Sequence, residues 1–203
     1  MKIFLTSLFV LFLSLNLSAQ DADFVQQIEK HREDLHAEFL DPEETPLDKK
    51  GLKKFKGLEY FPIDENYRVR VKYKEHAAKK FFTMVTTTDR RPEYVRFAEL
   101  TFQLEGKTYN LQAYQNQDLL EDPEYSDYLF VPFNDDTNAI ETYGGGRYLD
   151  FRIPESGVAY LDFNKAYNPY CCYSDRYSCP IPPQENYIQV RVLAGVKDYD
   201  SKH

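Results

Sequence analysis

Tyr67-Arg68-Val69-Arg70-Val71-Lys72-Tyr73-Lys74 is the stretch that decides the fold. Val69, Val71 and Tyr73 alternate with Arg68, Arg70, Lys72 and Lys74, and a period of two gives a strand with one dry and one wet face. Strands are predicted downstream at 80–87, 94–104 and 107–114, the last two joined at Glu105-Gly106 as a hairpin. Shorter runs at 128–133, 147–153, 157–163 and 187–194 complete the set. Pro132 cannot donate to a ladder, which puts 128–133 near an edge or a bulge. Short strands at this spacing predict a mainly β protein, an antiparallel sandwich or barrel.

Upstream of Tyr67 the period is helical. Phe24, Ile28, Leu35 and Phe39 make one apolar stripe over Asp23 to Phe39, with Asp21 or Asp23 as the cap. One N-terminal helix is therefore expected to pack against the β structure. His31 and His36 stand five apart, about 140° around the helix, so they do not form the one-face pair that binds zinc and read as solvated residues. The basic run from Lys49 to Gly57 reads as a solvated connection.

Met1-Lys2, the apolar run Ile3 to Leu15 and the small residues ending at Ala19 have the form of a secretory signal peptide. The apolar run is short for a membrane span, and no cysteine at the junction would take a lipid. The expectation is a cleaved leader at 1–19, a single domain at 20–203, and an exported protein, periplasmic or secreted, with no stable membrane anchor. Loss of Lys2 would take the net charge from −8 to −9, which argues against nucleic acid as a partner. Trp is absent while Tyr reaches 17 and Phe 15, so aromatic packing falls to rings that often carry a hydroxyl needing a partner. Nothing in the sequence sets the oligomeric state.

The densest punctuation lies between Tyr143 and Asn186. Read as a hairpin, 147–153 and 158–164 pair Ile153 with Val158, Phe151 with Tyr160, Leu149 with Asp162 and Arg147 with Asn164. One face is then apolar and turns polar at its open end, where Arg147 lies diagonal to Asp162. Either this cluster ties down the following loop, or it is the polar end of a pocket in which Arg147 holds a carboxylate or phosphate. The pocket reading adds Asn168, Glu185 and Asn186 to Arg147, Asp162 and Asn164, and makes the protein a binding module for a small polar or anionic ligand. A hydrolase using Asp162 or Glu185 with Arg147, and a structural or envelope-interaction protein, are the alternatives. No cofactor fingerprint or nucleophile elbow is present, and no cofactor is expected.

Gly144-Gly145-Gly146 reads as a tight turn, since a strand rather than a helix follows. Asn134, Asp136 and Asn138 have the spacing of a calcium loop, but Ala139 stands at the turn-glycine position and Gly145 at that of the bidentate acid, so no metal is expected. Cys171 and Cys172 could form only a strained bridge, whereas Cys171 and Cys179 could close a small loop worth about 2–3 kcal/mol. That disulfide is favoured, leaving Cys172 as a buried thiol.

Thr142-Tyr143-Gly144 with Gly146-Arg147-Tyr148-Leu149, Leu161-Asp162-Phe163-Asn164 with Ala166-Tyr167-Asn168-Pro169, and Cys179-Pro180 with Pro182-Pro183 and Glu185-Asn186 resemble the bacterial domain of unknown function family 1684. Thr45-Pro46-Leu47 and Gly57-Leu58-Glu59-Tyr60-Phe61-Pro62 are similar to its N-terminal elements. The resemblance implies a cysteine pair at Cys171 and Cys179, and Cys172 departs from it. It implies no activity.

Overall fold

The computed structural model describes residues 4–155 and 158–199, with side chains from Ala22 onward. The expected leader at 1–19 and the turn tip at Ser156 and Gly157 lie outside the residues so described. Helix α1 (Phe4–Leu40) turns Phe24, Ile28 and Phe39 into the protein, with Leu35 half-buried. It does not start at Asp23 as expected. Because the helix continues toward the N-terminus, Asp23 caps nothing and instead accepts from Gln27 Nε2 at 2.8 Å. The basic run forms a short helix, α2 (Lys49–Lys54), capped by Asp48 and burying no side chain.

Eight strands follow: β1 (Arg68–Glu75), β2 (Phe81–Thr83), β3 (Glu93–Leu104), β4 (Lys107–Asn116), β5 (Tyr128–Asp135), β6 (Arg147–Arg152), β7 (Ala159–Asp162) and β8 (Tyr187–Ile188). The order β6-β5-β4-β3-β1-β7 is antiparallel throughout; β2 extends β3, and β8 runs parallel to β5. The β3–β4 hairpin turns on Glu105 and Gly106, both at positive φ, as a two-residue turn matched to strand twist requires. The sheet curls until β6 and the chain after β7 meet in one bridge, Tyr148 with Tyr167, through N–H···O bonds of 2.9 and 3.0 Å. The result is a nearly closed barrel with α1 against it, one of the two antiparallel arrangements that the strand spacing allows.

Four local expectations change, the first being that 80–87 is a strand only at Phe81–Thr83. The 147–153/158–164 hairpin does not form, because β6 gives its ladder to β5 and β7 gives its own to β1, with Arg68 opposite Asp162. Leu149 faces Val131 and Arg147 faces Phe133, so the pairs with Asp162 and Asn164 never arise. Strand β5 is not at an edge; it has β4, β6 and β8 as partners. The donor that Pro132 lacks is supplied locally: Asn186 Nδ2 donates to the carbonyls of Gln112 (2.9 Å) and Pro132 (2.6 Å), while its Oδ1 accepts from Gln112 N (2.7 Å). A side-chain amide thus stands where the β4–β5 ladder would continue. Finally, 187–194 is a strand only at Tyr187–Ile188, although its alternation persists, with Val190, Val192 and Ala194 buried and Gln189, Arg191 and Leu193 exposed.

The alternation makes two cores. Inside the barrel, Val69, Val71, Leu100, Phe102, Leu111, Leu129, Val131, Phe133, Leu149 and Phe151 pack together, joined by Ile188, Val190, Val192 and Ala194 of the tail. On the outer face Met84, Tyr94, Tyr114, Phe130, Tyr148 and Cys179 form a second cluster, flanked by Tyr128, Tyr167, Tyr170 and Tyr177. Strand β6 serves both: Leu149 and Phe151 point in, while Tyr148, Asp150 and Arg152 take the other face.

Candidate functional site

Arg147 is wholly buried and cannot reach a ligand from outside. A guanidinium on the core face of a strand must be paired, and the partner is Asp135 on neighbouring β5, at 2.6 Å from Nη2. Its other bonds go to the carbonyls of Val192 (3.0 Å), Ala194 (2.5 Å) and Val196 (3.4 Å). Asp135 also accepts from the amide of Thr137 at 2.7 Å. Burial lowers the Arg147 pKa, against the opposing pull of Asp135.

The other expected residues are dispersed. Asp162 caps the turn at 163–165, accepting from the amide (3.0 Å) and side chain (2.9 Å) of Asn164. Asn164 clasps the backbone of Asp64 through N–H···O bonds of 3.0 and 2.9 Å. Asn168 donates to Lys197 O at 2.8 Å, and Glu185 accepts from Arg96 and from Tyr114 Oη at 3.1 Å. The structure brings Asp162 and Asn164 together, sends Arg147 to Asp135, and spends Asn186 on the sheet. These six do not converge on a pocket, because their bonds go to backbone and ion-pair partners in different parts of the barrel, although Arg147 Nε and Asn168 Oδ1 are buried without a partner among the described residues.

The three cysteines are thiols. Cys171 N donates to Cys179 Sγ at 3.1 Å, so the expected pair is adjacent though not bonded. A hydrogen bond from Cys179 lowers the Cys171 pKa to about 6 and pushes that of Cys179 up. Cys172 is half-buried rather than buried as expected, and burial raises its pKa to about 12.

The feature with the composition of a site lies on the other face of β6. An open cleft of about 670 Å³ is walled by His31, Leu35 and Glu38 of α1, by Tyr128, Phe130, Tyr148, Asp150 and Arg152 of β5 and β6, and by Tyr167, Tyr170 and Tyr177. In its lining Tyr128 and Tyr167 both donate to Oδ1 of the exposed Asp150, at 2.6 and 2.8 Å, and Tyr170 donates to Glu38. The rings stack edge to face, Tyr148 on Tyr167 with centroids 5.8 Å apart and Tyr170 on Tyr177 at 5.1 Å. A cleft of about 730 Å³ between β1, β3 and β7 presents no acid, histidine or cysteine among the described residues. Among the described residues no group of three or more His, Cys, Asp or Glu side chains is placed to hold a metal ion.

Reading β6 by its Arg147 face missed this cleft. The available signal was the alternate set, Tyr148, Asp150 and Arg152, beside the tyrosine excess. His31 is half-buried at the cleft rather than solvated. Burial and the charge of Lys165 hold its pKa below the usual 6.5, opposed by Asp150, Asp162 and Asp34. A depressed base binds fewer protons folded than unfolded, so its stabilising effect is complete above about pH 6.5 and is lost as pH falls through the folded value. Melting curves between about pH 7.5 and 5 should show wild type losing more Tm below 6.5 than His31→Gln; parallel curves would remove this contribution.

The curated proteins contain no match to the chain. A solution NMR structure of an uncharacterized protein from Haloarcula marismortui is similar, with 32% sequence identity and a TM-score of 0.70, over 91% of this chain and 99% of that one. The family described as "Protein of unknown function (DUF1684)" matches residues 53–197. A match over most of the chain, together with this structural relative, makes the protein a member of the DUF1684 family.

Proposed function

We propose that the protein is a binding module for a small polar ligand seated between α1 and the outer faces of β5 and β6. The observation that carries this is the exposed Asp150 in the cleft lining, where two tyrosine hydroxyls fix one carboxylate oxygen and leave Oδ2 without a partner among the described residues. A polar group held ready inside an aromatic wall is the usual composition of a ligand pocket, and its rigidity lowers the ordering cost of binding. The anionic alternative loses its support with Arg147 committed to the core. The hydrolase alternative requires Asp162 or Glu185 beside Arg147, and each has a different partner. The same bonds favour a scaffolding role for those residues.

The leader at 1–19 supports export, and in an oxidising compartment the adjacent Cys171 and Cys179 would close their loop. Mass measurement of the mature protein checks both, by the loss of 19 residues and of two thiol hydrogens. The binding reading is tested by NMR on a library of small polar compounds. Shifts should concentrate on Tyr128, Tyr148, Tyr167 and Tyr177, and Leu35→Trp, which fills the helical wall, should abolish them with little change in Tm. Ligand shifts elsewhere that survive Leu35→Trp would overturn the assignment.

A further inference from the structure

Four of the hydroxyl hydrogens of the cleft are already committed. Tyr128 and Tyr167 donate to Asp150, Tyr170 to Glu38, and Tyr148 to the carbonyl of Pro180. Burial raises the pKa of all four, so they remain donors to these partners at any ordinary pH. These four therefore offer a ligand ring faces and the carboxylates they bind, while Tyr177, whose hydroxyl accepts from Arg176 at 2.8 Å, keeps its own hydrogen. Neither Asp150 nor Glu38 takes part in an ion pair among the described residues.

The lining cations are engaged elsewhere, Arg90 with the Ser178 carbonyl at 3.0 Å and Arg152 with Asp127 at 2.6 Å. A groove on the α1 side continues the cleft through His31, Leu35 and Glu38 and adds Asp34, Asp41 and Glu44, so the approach is acidic. Two wall rings already lie beneath a guanidinium, Tyr128 under Arg152 at 5.5 Å and Tyr177 under Arg176 at 4.8 Å. These rings carry the negative quadrupole face that attracts cations.

On the reading of the cleft as a binding site, we infer that its ligand is an organic ammonium ion, with the charge toward Asp150 and Glu38 and the attached carbon groups against the tyrosine rings. An uncharged sugar would use the same rings but gain nothing from the unpaired carboxylates. An anion would face the Asp150 and Glu38 carboxylates, while the lining arginines Arg90 and Arg152 already have protein partners.

The test is titration calorimetry on the full chain with choline, its uncharged isostere 3,3-dimethylbutan-1-ol, methyl glucoside and acetate. Choline should bind saturably, and the isostere at least about tenfold more weakly, as expected for the loss of a partly desolvated cation–π and carboxylate contact. Asp150→Asn keeps an acceptor for both tyrosines, so it should preserve Tm while weakening choline about tenfold. Glu38→Gln should act in the same direction, which guards against a folding artefact in the first variant. If the isostere, the glucoside or acetate binds as well as choline and Asp150→Asn changes nothing, the ammonium class is wrong and the cleft remains a binding site. Choline binding that survives Leu35→Trp overturns both readings, as does silence here combined with silence in the NMR screen. Silence here with NMR shifts at the cleft overturns the ammonium class alone.

Discussion

Arg147→Ala should lower the melting temperature by about 10 °C or more, the largest single effect expected in this protein. The substitution leaves the Asp135 carboxylate buried without its counterion and strips a donor from three carbonyls of the tail. Breaking a buried pair from one side costs roughly 3–5 kcal/mol, and a domain this size shifts by roughly 2–4 °C per kcal/mol. Arg147→Lys separates the two parts, since an ammonium can answer Asp135 but cannot span alternate carbonyls as a planar fork does. It should fall between wild type and Arg147→Ala. Asp162→Asn is the control: an amide oxygen can still cap the 163–165 turn, and Tm should move by no more than about 3 °C. Equal losses in Arg147→Ala and Asp162→Asn would mean that they do belong to one cluster.

Asn186→Ala should cost about 3 kcal/mol in urea unfolding. Three hydrogen bonds disappear at once, and Gln112 N, Gln112 O and Pro132 O are left without this partner in the interior. Asn186→Asp makes the diagnosis sharper. A carboxylate can still accept from Gln112 N, but it would face two carbonyl oxygens with no hydrogen to give, inside the protein. Asp should therefore be at least as damaging as Ala. An Asp variant more stable than the Ala variant would show that the amide hydrogens do not patch the sheet.

What was legible in the sequence is what depends on neighbours along the chain. The alternation at Val69, Val71 and Tyr73, the turn at Glu105-Gly106 and the stripe of Phe24, Ile28 and Phe39 all appear where expected. The face shared by Arg147, Leu149 and Phe151 was also readable, because side-chain direction in a strand needs only parity. The partner of Arg147 was not. Asp135 lies two residues beyond the expected end of its strand, in a stretch whose polar spacing suggested a loop. Whether the sheet closes as a barrel depends on its curl, a property of all the strands together. The tail shows the limit most clearly: its alternation correctly gave burial, but the bonds that normally accompany it come from a guanidinium and from β5, not from a ladder along its length. The cleft needed α1, which packs on the turn at 163–165, to stand across from β5 and β6, and no local pattern encodes that placement.

The guanidinium at the end of the barrel also fixes when the barrel can be finished. β6 delivers Arg147, yet the carbonyls it holds lie at 192, 194 and 196, after every strand in the chain. As the polypeptide emerges from its N-terminus, the sheet can assemble through β7 while this charge has only Asp135 for company. Contacts so distant in sequence are slow to form, and domains in synthesis wait for their last segments. The tail is therefore a clasp: the three carbonyls that hold the buried guanidinium are the last partners of this end of the barrel to leave the ribosome.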